Sequence, residues 1–161
     1  MTATGDVPMT RKDIIEHLKR TPWEELAAQA DPVRRLFVGE KVHIRGLIEF
    51  SSHCCRNCLY CGLRRDNRAA QRYRMRPDDI VETARGVYLQ GIRTVVLQSG
   101  DDMTYSGPCL GDVVRGIKEN CPGMAVTLSL GERSEEDYRR WKEAGADRYL
   151  LRHETASHDL Y

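Results

Sequence analysis

The sequence lacks a charge bias: across 161 residues, 25 Lys and Arg stand against 24 Asp and Glu, a formal net charge of +1. No broad field of one sign points to nucleic acid or to a membrane surface. Long apolar runs are missing too, the longest being a few residues where roughly 20 are needed to cross a bilayer. The N-terminus, MTATGDVPMTRKDIIEHLKR, has no apolar core of the signal-peptide kind. There is no internal repeat, no low-complexity tract and no Pro/Gly/Ser linker that would divide the chain. With 40% hydrophobic residues and a mean hydropathy of −0.56, the composition is that of a folded chain rather than a disordered one. Together these absences predict a soluble, cytoplasmic protein of one domain, or part of one.

What is present is thiol. Of 6 cysteines, Cys54, Cys55, Cys58 and Cys61 crowd into one short segment, SSHCCRNCLYCGLRRDNR, and Cys109 and Cys121 stand apart. Spacings so tight suit a disulfide framework poorly, and clustered thiols in a cytosolic chain usually hold a metal or do redox chemistry. Cys54, Cys58 and Cys61 have the spacing C-x3-C-x2-C. Three such thiolates can ligate three irons of a 4Fe–4S cube and leave the fourth open. Cys55, Cys58 and Cys61 offer a second register, C-x2-C-x2-C, and with His53 could hold structural zinc. Inert, buried thiols are the third reading.

Hydrophobic periodicity places this segment in a fold. Arg11 to Lys19 and Trp23 to Phe37 read as helices, with Pro32 expected to kink or divide the second. His43 to Phe50 reads as a strand entering the cysteine loop. Pro77 opens a helix with Asp78 and Asp79 in its first turn and Ile80, Val81, Ala84, Val87 and Tyr88 on one face. Thr94–Gln98 is a strand, Leu110, Val113, Val114 and Ile117 mark a helix, and Met124–Leu130 is another strand. Ser134 and Asp137 suggest a capping box for a helix reaching Ala144, and Arg148–Arg152 is the fourth strand. After a helical extension over residues 1–41, residues 42–161 thus read βαβαβαβ. Such alternation implies an α/β fold with a parallel sheet and right-handed crossovers, either a small open sheet or the first half of a (β/α) barrel of about 250 residues. On the barrel reading the sequence is a fragment.

The longer string LIEFSSHCCRNCLYCGLRRDN, followed by RYRM, VVLQSGDD, VTLSLGE and WKEAGADRYLLRHETA, resembles the radical S-adenosylmethionine (SAM) superfamily, and within it the HydE family of FeFe-hydrogenase maturases. The matching segments run from about Leu47 to Ala156 and keep the family's order. The resemblance implies a radical SAM enzyme with an incomplete (β/α) barrel of about four strands. It implies a 4Fe–4S cluster held by Cys54, Cys58 and Cys61, with Cys55 a bystander, and SAM as cofactor. Tyr60, Ser99, Gly100, Asp101, Ser129 and Glu154 match SAM-contacting positions, and Thr127 and Arg152 match positions lining a substrate cavity.

The implied reaction is reductive cleavage of SAM to a 5′-deoxyadenosyl radical that acts on a small cysteine-derived or iron-bound substrate. An electron donor such as a ferredoxin or flavodoxin is implied, as are other hydrogenase maturation proteins as partners. Methylornithine synthase and biotin synthase are similar in this region and form the alternative enzyme reading; a non-enzymatic zinc-binding module is the alternative of another class. Among the remaining features, Arg64, Arg65, Arg68, Arg72, Arg74 and Arg76 read as a solvated or ion-paired surface loop. His17 and His43 read as structural. Cys109, Cys121 and the Tyr138–Trp141 pair read as core.

Overall fold

The computed structural model describes residues 9–160, which divide into a unit ending at His43 and a unit beginning at Ile44. The first unit holds α1 (Arg11–Arg20) and α2 (Trp23–Val38). A reciprocal cap opens α1: the Asp13 amide donates to the Thr10 hydroxyl, and the Thr10 amide donates to the Asp13 carboxylate. Helix α2 runs through Pro32 undivided, so of the expected kink or division the division does not occur. Proline removes one hydrogen bond, at the Ala28 carbonyl, while the Asp31 carboxylate, 2.7 Å from both Arg34 and Arg35, ties the turns that follow.

The second unit contains β1 (Gly46–Ser51), α3 (Pro77–Leu89), β2 (Thr94–Ser99), α4 (Gly107–Asn120), β3 (Ala125–Ser129), α5 (Glu135–Glu143) and β4 (Arg148–Tyr149). The strands form one parallel sheet in the order β1-β2-β3-β4. This is the α/β architecture that the alternation implies. Register sets Ile48 beside Leu97 and Leu97 beside Leu128, so one apolar row crosses three strands. Beneath it lie Ile80 and Ala84 of α3, Leu110, Val113, Val114 and Ile117 of α4, and Trp141 of α5, all in one buried cluster. The helix faces read from periodicity are the faces that pack.

The element ends differ from the sequence reading in three places. Strand β1 begins at Gly46, not His43; Val42 and Ile44 are exposed. Strand β4 is paired only over Arg148–Tyr149, although the Leu150 amide still donates to the Leu128 carbonyl at 2.8 Å. It lies at the edge of the described sheet. The Ser134 hydroxyl does accept the Asp137 amide, but the Asp137 carboxylate lies against Gly107 of α4 rather than closing the box. Cys121, Trp141 and most of Tyr138 are in the core, as their patterns suggest; the Trp141 indole N–H donates to the Gly107 carbonyl at 2.9 Å.

Because the strands are parallel, their C-terminal ends share one edge. The face away from α3, α4 and α5 carries Glu49, Gln98, Thr127 and Ser129 by the alternation of strand side chains. Among the described residues, no helix is long and apolar enough to cross a membrane.

Candidate active site

The cysteine loop, residues 52–76, is a long excursion with almost no regular structure, so its backbone must find other partners. Arg72 supplies many of them. Its guanidinium donates to the carbonyls of Leu63, Arg64 and Asn67 at 2.9, 2.8 and 3.3 Å, and also to that of Ser52. A planar cation with five N–H groups suits this task, as lysine would not. Arg72 is therefore the hub of the loop rather than a solvated surface charge.

The two ends of the loop are fastened beside β1. The Met75 amide donates to the Phe50 carbonyl at 2.8 Å, and the Tyr73 amide to the Ser52 hydroxyl at 2.8 Å. Asp102, buried in the loop after β2, accepts from the Ser51 hydroxyl at 2.6 Å and from Arg74 at 2.7 and 3.1 Å. Burial pushes the Asp102 pKa up, but the bonds from Arg74, Ser51 and Thr104 outweigh it and hold the carboxyl below the usual carboxylate range.

The loop after β2 then touches the cysteines directly. Gly100 makes this approach feasible: a Cβ there would stand 2.5 Å from the His53 carbonyl oxygen and 2.6 Å from the Cys54 Cβ. The amides of Arg56 and Asp101 both donate to Cys54 Sγ at 3.4 Å. Burial raises the Cys54 pKa against these two N–H groups, which favour the thiolate.

A cleft of about 370 Å³ opens at this edge of the sheet. It gathers Cys54, Cys58, Cys61, Tyr60, Ser99, Gly100, Asp101, Ser129, Arg152 and Glu154. These come from the cysteine loop and from the ends of β2, β3 and β4. Thr127 is the one candidate outside its lining; it lies on the same strand face as Ser129, two residues deeper into the sheet. His53 and Cys55 also lie outside it, and Cys55 is exposed with its amide on the Asp101 carbonyl at 3.0 Å. Cys54, Cys58 and Cys61 share the cleft without closing a three-residue donor set among the described residues.

Residues that the sequence reading passed over complete the cleft. Gln98 donates to the Glu49 carboxylate at 3.2 Å and accepts from Arg152 at 2.6 Å, while Arg152 stands 3.9 Å from Glu154. This polar line joins β1, β2 and the segment after β4. Its signal was present: Glu49 and Gln98 are polar interruptions in strands that otherwise read as apolar. Arg56 is the other omission; it pairs with Asp101 at 2.9 Å and with Glu132 at 2.7 Å.

Residues 48–161 match the model of the radical SAM superfamily. The chain is 50% identical over 170 residues to the FeFe-hydrogenase maturase subunit HydE of Thermotoga maritima, covering 95% of this chain and 48% of that protein. It is 30% identical over 129 residues to biotin synthase of Staphylococcus aureus, covering 78% of this chain and 38% of that one. Among solved structures, methylornithine synthase (PylB) superposes with a TM-score of 0.84 at 27% identity, over 94% of this chain and 46% of that chain. The maturase HydG shares the fold, with a TM-score of 0.75 at 20% identity, over 89% of this chain and 33% of that chain. The chain thus spans less than half the length of these relatives. A parallel βα array whose strand ends meet a four-cysteine loop, matched by the family model along most of its length, places this chain in the radical SAM superfamily.

Proposed function

We propose that this chain supplies the cluster- and SAM-binding half of a cytoplasmic HydE-like enzyme of FeFe-hydrogenase maturation. The observation that carries the reading is the convergence of ten candidate residues, from the cysteine loop and the ends of three strands, on one cleft. Radical SAM proteins carry a 4Fe–4S cluster and SAM, and the cleft offers residue types suited to both, thiols for iron and carboxylates for an ammonium. Three cysteines line it, two backbone amides donate to one sulfur, and Gly100, lacking a side chain, lets the loop after β2 pack closely against that cysteine. When bound, the cluster and SAM supply one-electron cleavage of a sulfonium C–S bond, giving a 5′-deoxyadenosyl radical.

The chain's own work is to bind and orient. Cys54, Cys58 and Cys61 would hold the cluster. Tyr60, Ser99, Gly100, Asp101, Ser129 and Glu154 would contact SAM, with exposed backbone groups and carboxylates suited to its ammonium. Arg152 would hold a substrate carboxylate as a planar fork, with Thr127 deeper in the cavity. The substrate class is a small cysteine-derived or iron-bound molecule, the electron donor a ferredoxin or flavodoxin, and other hydrogenase maturation proteins are partners. The structural likeness to methylornithine synthase keeps a second reading, a radical SAM enzyme of that type or of the biotin synthase type acting on another substrate.

Anaerobic reconstitution with iron and sulfide, followed by metal analysis and EPR with and without SAM, tests the proposal. Four irons and a signal that shifts with SAM are expected. Cys54→Ala should lose the cluster while Cys55→Ala keeps it. Zinc bound tightly without iron would instead support the metal-binding module.

A further inference from the structure

Arg56 follows the first two cysteines and lines the cleft. Its Nε donates to one Asp101 carboxylate oxygen at 2.9 Å, and a terminal N–H donates to Glu132 at 2.7 Å. Asp101 sits in the loop after β2 and Glu132 in the loop after β3. One guanidinium therefore joins three loops that come from different parts of the chain. The fork has separate N–H edges, so it can hold two carboxylates at a fixed angle and spacing.

The seat for this fork is built into the fold. All three polar parts of Asp101 face the cysteine loop: its amide donates to Cys54 Sγ, its carbonyl accepts the Cys55 amide, and its carboxylate accepts from Arg56. The Asp101 side chain is only 11% exposed. It rests in the space that a Cβ at Gly131 would occupy, and Gly131 has φ of 76°, where other residues are strained. Each anchor also lies beside residues that line the cleft: Ser99 and Gly100 on one wall, Ser129 and Gly131 on the other.

We infer that Arg56 is a positioning residue: anchored on Asp101 and Glu132, it sets the spacing between the cysteine loop and the cleft walls from β2 and β3, and so governs how well the cleft receives SAM. Asp101 then serves the site by holding Arg56 as well as by facing the cleft. The inference rests on the proposed radical SAM function, and the parent protein separates the two: no SAM-induced EPR shift in the parent would sink that function.

The experiment compares reconstituted parent, Arg56→Gln, Arg56→Lys, Glu132→Gln and the Arg56→Gln/Glu132→Gln double variant by iron content, EPR with and without SAM, and SAM titration. Arg56→Gln should retain its iron yet bind SAM about tenfold more weakly, the scale of one lost charge-assisted hydrogen bond. Its SAM-shifted signal should be broadened. Arg56→Lys keeps the charge but only one directed contact, so it should recover part of the affinity. Glu132→Gln should weaken SAM less, and should cost nothing further once Arg56 is Gln.

Unchanged SAM affinity and spectrum in Arg56→Gln would overturn the inference, as would a Glu132→Gln effect of equal size with and without Arg56. If Arg56→Gln fails to fold or to hold iron, Glu132→Gln decides alone. Its side chain is 55% exposed, so the fold tolerates the change, and parent-like SAM binding there overturns the inference.

Discussion

On the side of the sheet covered by α3, α4 and α5, Ile48, Phe50, Val95, Leu97, Val126 and Leu128 each expose no more than 3% of their surface. Beyond the C-terminal edge of that same sheet, the cysteine loop is secured by guanidinium–carbonyl and guanidinium–carboxylate bonds, and Leu59, Tyr60, Leu63 and Tyr73 remain substantially exposed. The first region is held by a force without direction, proportional to the apolar area removed from water. The second is held by directional bonds, each worth little net but demanding a set geometry. A core of the first kind tolerates swaps that conserve volume. A loop of the second kind holds thiols in register and tolerates few changes of bond geometry, though it adds little to global stability.

Breaking the apolar side should have the largest effect. Phe50 is fully buried and meets Tyr105 edge to face at 4.9 Å. Phe50→Ala should lose about 3–5 kcal/mol of unfolding free energy, measured by urea denaturation. A loss below that range would mean the sheet relaxes into the space.

The contrast is sharpened at Asp102, which belongs to both regions. Asp102→Asn should cost about 1–3 kcal/mol, since Ser51 and Arg74 lose a charged acceptor. The pH dependence identifies the cause. The carboxyl is held below its ordinary range, so its contribution is complete above a pH of about 4 and disappears as pH falls toward the lowered folded-state value. The asparagine variant should therefore show a flatter acid limb in a plot of stability against pH. An unaltered acid limb would assign that dependence to other carboxylates.

Arg72→Met should have the smallest global effect, about 1 kcal/mol or less, because its partners lie in a loop from which water is not excluded. Its local effect should be large. Amide exchange across residues 53–72 should accelerate, and iron should be lost faster on dilution with a chelator. Equal protection of the loop in parent and variant would remove Arg72 from its place as hub.

The same division governs what could be read from the sequence. Apolar burial writes itself as periodicity, so Ile80 and Ala84, the Leu110–Ile117 face, and the strands around Val95 and Val126 were legible. Strand ends were not. Pairing at β4 depends on neighbours across an edge, and the start of β1 at Gly46 depends on where β2 begins to pair with it. Ten of the cleft residues were legible because the cysteine spacing and the surrounding strings resemble a known family.

Arg72, Arg74 and Arg56 were not legible in that way. The composition of an arginine-rich loop gives no sign of which guanidinium meets carbonyls, which meets a buried carboxylate and which stays in water. That choice is made by backbone geometry brought together in three dimensions, through contacts such as Asp102 with Arg74, 28 residues apart.

The strand order carries a consequence for synthesis. In the sheet each strand lies beside the one that precedes it in the chain, and α3, α4 and α5 follow the same succession. No described strand of the sheet waits for a partner from far downstream; when β2 leaves the ribosome its neighbour β1 is already outside, and β3 and β4 arrive in turn. Loop closure in such a chain costs one βα unit at a time, with an entropy that grows only slowly with loop length. The longest of these closures, from β1 to β2, contains the cysteine loop. The thiols lie in the one span bounded by β1 and β2, so both strands that flank them are synthesised before β3 and β4.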